Sequence, residues 1–304
     1  MDVTERAATL GYLAGWKVVG ALPDSLTVGL FTAGADRASD DGRGMDMLRR
    51  NLSRVVGPEN VTRELVRDSM RSYARYWREA FRLPRLAGDP QVLETITRGV
   101  SGRPFLDAAL ERGRGAILAL PHSGNWDMAG MWLVQHYGTF ATVAERLRPE
   151  VLYEAFVDYR ESLGFEVLPL TGGDHPYARL AEVLRGNGIV CLMGERDLTP
   201  RGVPVTFFGE STTMPAGPAK LAVDTGAALF AVHSWFEGTD EQPAWGLKAD
   251  PELEVTTVEE TTQRLADRFA ANIAEHPADW HMLQPMWPSD RQYRPFRRPV
   301  PWRR

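Results

Sequence analysis

The sequence has a single cysteine, Cys191. An internal disulfide is excluded, and the chain is compatible with a reducing compartment. Cys191 sits in the apolar run 188–194, which reads as a buried strand rather than the surroundings of a nucleophile. Lysine is scarce too: of 35 basic residues, only Lys17, Lys220 and Lys248 are lysines. The arginine fork suits phosphate, although a GC-rich genome gives the same bias and is the larger cause. No stretch of about 20 apolar residues occurs, so no spanning helix is expected. No signal-peptide pattern is visible, and no cleaved leader is expected. Spacings such as His-x-x-x-His and Cys-x-x-Cys are missing, so a metal site has no support. Gly113-Arg-Gly115 lacks a third glycine and precedes its strand, so the dinucleotide fingerprint fails. No Gly-x-Ser-x-Gly elbow is present, which argues against an α/β-hydrolase.

What is present is an ordinary globular composition: 304 residues, 43% hydrophobic and 25% charged. One large domain with a sizeable core is expected over 1–304. The net charge is -5, yet residues 1–85 carry 14 Lys/Arg against 11 Asp/Glu. A basic front on an acidic chain reads as a solvated helix or as a surface that meets something anionic, for which a membrane and not nucleic acid is the expected partner. Residues 7–35 hold only Lys17 and Asp24 as charges and divide at Pro23 into two short apolar pieces. They read as buried helices or helices lying in a membrane interface. Residues 62–83 read as one helix, ended by Pro84. It carries an aromatic stripe (Met70, Tyr73, Trp77, Phe81) and an arginine stripe (Arg67, Arg71, Arg75, Arg78, Arg82). The first is expected in the core, and the second to be solvated or to face lipid phosphates.

From about residue 100 the pattern alternates. Apolar runs at 115–120, 140–144, 165–170, 188–193 and 228–235 read as buried strands. Helical stretches at 126–137, 149–163, 177–185, 216–225 and 260–275 separate or follow them. This predicts an α/β fold: a mainly parallel central sheet flanked by helices on both faces. Residues 100–290 form the catalytic core, and 1–90 form an N-terminal helical, membrane-facing part.

The most informative segment is Leu118-Ala-Leu-Pro-His122-Ser-Gly-Asn-Trp-Asp127. His122 follows a strand directly, where open α/β sheets bind ligands. Gly124 permits a tight turn, and Asn125 can cap the next helix. Asp127, in the first helical turn, is placed to accept the Nδ1–H of His122. That would leave Nε2 to take a proton from a hydroxyl. Backbone N–H groups at the helix start would steady an oxyanion. A second strand end carries Gly194-Glu195-Arg196-Asp197. Glu145 follows a third strand and Arg160 ends an aromatic helix; both reach toward the same cleft or form surface ion pairs. His136 reads as packing, His175 and His276 as turn residues before proline, His233 as a satisfied core histidine. His281 is placed to line the cleft.

Together with Gly202-Val-Pro-Val-Thr-Phe-Phe-Gly209, Met214-Pro-Ala-Gly-Pro-Ala219 and Trp280-His-Met-Leu-Gln-Pro-Met-Trp287, these motifs resemble the bacterial lysophospholipid-type acyltransferases. The nearest branch is that of the lipid A lauroyl/myristoyl enzymes. Within it the chain is most similar to actinobacterial phosphatidylinositol mannoside acyltransferases. The resemblance implies acyl-CoA as co-substrate, no bound cofactor, and a mannose hydroxyl of a phosphatidylinositol mannoside as acceptor. It places the reaction on the cytosolic face of the plasma membrane. It implies His122 as base, Asp127 as its orienting acid and Glu195 near the acceptor. Ser123, Asn125, Glu145, Arg160 and Arg196 are expected to touch substrate. Two other functions stay open: a lipid-binding protein without chemistry, and a thioesterase in which water replaces the acceptor.

Overall fold

The apolar runs become the strands of one sheet in the computed structural model, which describes residues 18–145, 150–170, 176–197 and 202–290. Tyr12, Leu13, Trp16, Arg146, His175 and Arg201 lie outside the described residues. Four helices come first: α1 (Asp24–Ala38), α2 (Asp46–Val56), α3 (Arg63–Leu86) and α4 (Pro90–Arg98). Then follow β1 (Val100–Ser101), α5 (Arg103–Glu111), β2 (Ala116–Leu120), α6 (Trp126–Tyr137), β3 (Phe140–Ala144), α7 (Glu150–Ser162) and β4 (Phe165–Pro169). The chain continues with α8 (Tyr177–Arg185), β5 (Ile189–Met193), β6 (Val203–Phe207), β7 (Glu210–Met214) and α9 (Gly217–Thr225). It closes with β8 (Ala228–Gly238), β9 (Pro243–Ala249) and α10 (Val258–Glu275).

Seven strands form the sheet in the order β1-β9-β8-β2-β5-β3-β4. Every neighbouring pair is parallel except the β8–β9 hairpin. Alternate side chains feed two cores, one on each face. Ile117, Ala119, Val190 and Leu229 pack with Leu184 of α8, Leu221 of α9 and Phe269 of α10. Leu118, Leu120, Ile189 and Phe230 pack with Leu83 of α3, Leu106 of α5 and Met131 of α6. The period of two along a strand does this: each central strand is buried on both sides and is apolar throughout. The hairpin β6–β7 stands apart from the sheet and adds Val205, Phe207 and Met214 to the α10 side.

Several sequence expectations change. Pro84 does not end its helix; α3 runs on to Leu86, and the N–H of Ala87 bonds the carbonyl of Leu83 at 2.8 Å. Proline removes one helical bond, and a single lost bond near an end does not stop the last half-turn. The arginine stripe is not a free basic face. Arg71 makes a two-bond pair with Asp36 of α1, 2.7 Å each. Arg75 binds Glu79 at 2.8 Å and the carbonyls of Glu237 and Ala244. Arg82, 4% exposed, holds the carbonyls of Val19 and Leu22 and the carboxylate of Asp24. The stripe therefore clamps α1 and the β8–β9 end onto α3. The spacing of cations was legible in the sequence; apart from Glu79 on the same helix, the acids and carbonyls named here come from other elements. The aromatic stripe splits as well: Met70 is in a core, whereas Tyr73 and Trp77 line a cavity. His233 is buried, as expected, but not satisfied, since neither ring nitrogen has a partner. Burial, then the charges of His276 and Lys248, push its pKa down to about 3, so it is neutral and stacks on Trp235. No helix among the described residues is long and apolar enough to cross a membrane.

Candidate active site

The pairing of β2 with β5 builds the centre of the site. Leu120 lies opposite Met193, and the N–H of Gly194 extends the ladder to the carbonyl of Leu120 at 2.8 Å. Two residues beyond these partners stand His122 and Glu195. Strand register alone therefore brings them face to face. Oε1 of Glu195 accepts both the backbone N–H of His122 and its Nδ1, each at 2.7 Å. The Glu195 side chain is 0% exposed and that of His122 30%. Burial by itself would raise the Glu195 pKa; the charge of His122 and its two hydrogen bonds outweigh this and hold it below the usual value. Glu195 is thus an anion with only acceptors to offer, so Nδ1 must carry the proton. The lone pair of Nε2 is left for chemistry.

This corrects the expected partnership. Asp127 does sit in the first turn of α6, but its carboxylate takes two bonds from Arg160, at 2.8 and 3.1 Å, and one from Tyr76 at 3.2 Å. Burial would lower the Arg160 pKa, and the charge of Asp127 more than reverses that. Asp127 orients Arg160, not His122. Glu195, expected near the acceptor, is the carboxylate that meets Nδ1 of His122. The sequence showed His122 and Asp127 five positions apart; it did not show which strand lies next to β2.

The loop between them is rigid for stated reasons. Gly124 has φ +57°, and a Cβ there would come within 2.6 Å of the Ser234 carbonyl. Asn125 caps α6 through Oδ1, which accepts from the N–H groups of Asp127 and Met128, both at 3.1 Å. Its Nδ2 donates to Glu79 at 2.6 Å, and Glu79 also receives Trp245 Nε1 at 2.9 Å. Glu79 and Tyr76 are site residues that sequence reasoning missed; both lie on the helix whose aromatic stripe was noted. Ser123 and Asn125 were expected to touch substrate, but both are buried and neither lines the cavity. The N–H groups of His122, Ser123, Gly124, Asp127 and Met128 are already engaged, so the helix start offers no free pair of donors from these residues to an oxyanion.

A cavity of about 410 Å³ opens beside His122, within the size range of small-molecule sites. All seven sheet strands contribute to its wall, from Ser101 and Ala249 at one side to Phe140 and Phe165 at the other. Six inter-strand gaps of roughly 4.8 Å make this a span on the order of 25–30 Å. The wall is mostly apolar. Glu145, Arg160, Arg196 and His281 are among its polar points, as the sequence suggested, and Arg103 and Gln284 add to them. Cys191 also lines it, with burial raising its thiol pKa well above the ordinary value. Among the described residues no group of three His, Cys, Asp or Glu is arranged to hold a metal ion.

His122 thus lines a long, mostly apolar cavity. The family model for bacterial lipid A biosynthesis acyltransferases matches residues 1–289. The chain belongs to that family. It is 60% identical over 295 residues to a phosphatidylinositol mannoside acyltransferase of Mycolicibacterium smegmatis, covering 94% of this chain and 93% of that relative. A protein of the same name from Mycobacterium tuberculosis is 57% identical over 294 residues, covering 95% of this chain and 91% of the relative. In this acyltransferase family member, then, His122 and Glu195 come from the ends of two adjacent strands, and the carboxylate of the His-x4-Asp motif meets an arginine.

Proposed function

We propose that the protein transfers a long-chain acyl group from acyl-CoA to a mannose hydroxyl of a phosphatidylinositol mannoside. The observation that carries this reading is the His122–Glu195 pair at the rim of an apolar cavity spanning the sheet. The hydroxyl gives its proton to Nε2 of His122 as its oxygen bonds to the thioester carbonyl carbon. Glu195 stabilises the imidazolium that results. The carbon–sulfur bond then breaks, and the thiolate takes the proton from Nε2. Arg160, held by Asp127, and Arg196 face the anionic parts of the substrates, and Glu145 faces sugar hydroxyls. The acyl chain lies in the cavity, each buried CH₂ contributing about 0.8 kcal/mol.

Incubation with a long-chain acyl-CoA, with and without a mannosylated phosphoinositide, tests the reading. Acylated glycolipid and free CoA in equal amounts are expected when both are present. Free fatty acid at the same rate with or without acceptor would make the protein a thioesterase. Tight acyl-CoA binding with no turnover would make it a lipid carrier.

The acceptor is a membrane lipid, so we further propose peripheral attachment at the cytosolic face of the plasma membrane. Leu26 and Leu30 of α1 are each 58% exposed and Val18 is 56% exposed, an apolar edge suited to an interface. Because the arginine stripe is engaged internally, apolar contact outweighs its attraction to anionic lipid. Flotation with phosphatidylinositol vesicles should therefore survive moderate salt and fall sharply when Leu26 and Leu30 are both serine. Unchanged flotation of that variant would remove α1 from the contact, and retention through carbonate would mean an integral anchor.

A further inference from the structure

Residues 279–281 lie against the catalytic loop and are tied to it by backbone alone. The N–H of Gly124 bonds the carbonyl of Asp279 at 3.0 Å, and the N–H of His281 bonds the carbonyl of His122 at 2.7 Å. Between them Ser123 and Trp280 form an isolated antiparallel bridge. Main-chain contacts of this kind fix the position of His122 as firmly as the 279–281 segment is itself fixed. The anchors of that segment are side chains. Ser72 of α3 donates its hydroxyl to Oδ1 of Asp279 at 2.6 Å and accepts from Nε2 of His281 at 2.9 Å. Oδ2 of Asp279 accepts the N–H of Phe236, in β8, at 3.1 Å. One buried hydroxyl and one half-buried carboxylate thus join α3, β8 and the loop that carries His122.

We infer that Asp279, Ser72 and His281 form a positioning array for the acyl-transfer base, acting on His122 through the backbone of residues 122–124. The inference rests on the function proposed above. The array also fixes a second imidazole in the cleft. Ser72 uses its only proton on Asp279, so Nε2 of His281 must be the protonated nitrogen. Burial, then the charge of His122, push the His281 pKa down to about 3, which keeps it neutral beside the base. Stability does not account for the array. Nδ1 of His281 is buried with no partner, and an unpaired buried acceptor is a cost that an apolar residue would avoid. What the polar array provides is geometry: Nδ1 and the N–H of His122 must both converge on one oxygen of Glu195. A misplacement of about 1 Å in such a centre costs on the order of 10²-fold in rate.

Ser72→Ala removes the partner of His281 Nε2, and both it and Asp279→Asn leave the side chains of Glu195, Asp127 and Arg160 in place. The test uses the full chain with acyl-CoA and mannosylated phosphoinositide, comparing Ser72→Ala and Asp279→Asn with wild type. The turnover number is expected to fall about 10–100-fold, with the Michaelis constant for acyl-CoA within about threefold. Ser72→Thr, which keeps the hydroxyl, should restore the turnover number. Ile96→Val, a core change in α4, serves as a stability control and should leave the turnover number in place. A wild-type turnover number in Ser72→Ala, or a loss that Ser72→Thr does not restore, would overturn the inference. Ser72→Ala removes a single oxygen and carries the test if Asp279→Asn does not fold. Full activity in His122→Ala would instead overturn the proposed function, a separable result.

Discussion

Alanine in place of His122 is expected to lower acyl transfer by about 10²–10⁴-fold, the worth of a positioned general base. The fold should be unaffected. The side chain is 30% exposed and belongs to neither of the two cores of the sheet. Its ring meets Trp126 edge-on at 5.6 Å and otherwise only Glu195 and the cleft. Single-turnover assays with purified variant, alongside an unfolding curve, separate rate from stability. Transfer at the wild-type rate would mean that another group takes the hydroxyl proton.

Glutamine in place of Glu195 should be nearly as damaging, by about 10²–10⁴-fold; a carboxylate-to-amide change behind a catalytic histidine reaches the upper figure in serine proteases. Two effects act together. The amide cannot neutralise the imidazolium that forms as the hydroxyl loses its proton. It also puts an N–H₂ where Oε2 now lies buried without a partner, or else turns it toward Nδ1–H and breaks the contact. The change should alter acid stability as well. The folded-state pKa of Glu195 is lowered, so its contribution is present above the unfolded value and is lost as pH falls through the folded one. Wild type should therefore lose more stability than Glu195→Gln as pH drops through the carboxylate range, measured by denaturant unfolding at several pH values. Equal pH dependence in the two proteins would mean that the Glu195–His122 contact is not maintained in solution.

The strands that could be read from the sequence carry short, mostly apolar runs. Those runs gave β3 its bounds and β2, β4 and β5 theirs within one residue. The hairpin partner β9 escaped because Gly246 and Lys248 interrupt its apolar residues. The β6–β7 hairpin was visible only as a motif, since its strands alternate buried and exposed residues with Pro204 among them. In the site the residue types were legible and the pairing was not. His122, Asp127, Glu195 and Arg160 all stand out at element ends. Which carboxylate meets which cation depends on strand order, and no local spacing encodes that. The same limit hid Glu79, which meets Asn125 across 46 positions, and Ser72 and Asp279, which meet each other across 207.

The register that sets the base against its acid also has a consequence for how the protein acquires activity. The His122–Glu195 contact spans 73 residues and forms only once β2 and β5 pair in parallel, the slow, non-local kind of contact. A slip of one residue between those strands would turn Glu195 to the opposite face of the sheet. Such a chain would retain its helices and most of its compactness but have no working base. During refolding, regain of acyl transfer should then trail regain of helical signal, and the lag measures how long the central pairing takes to find its alignment.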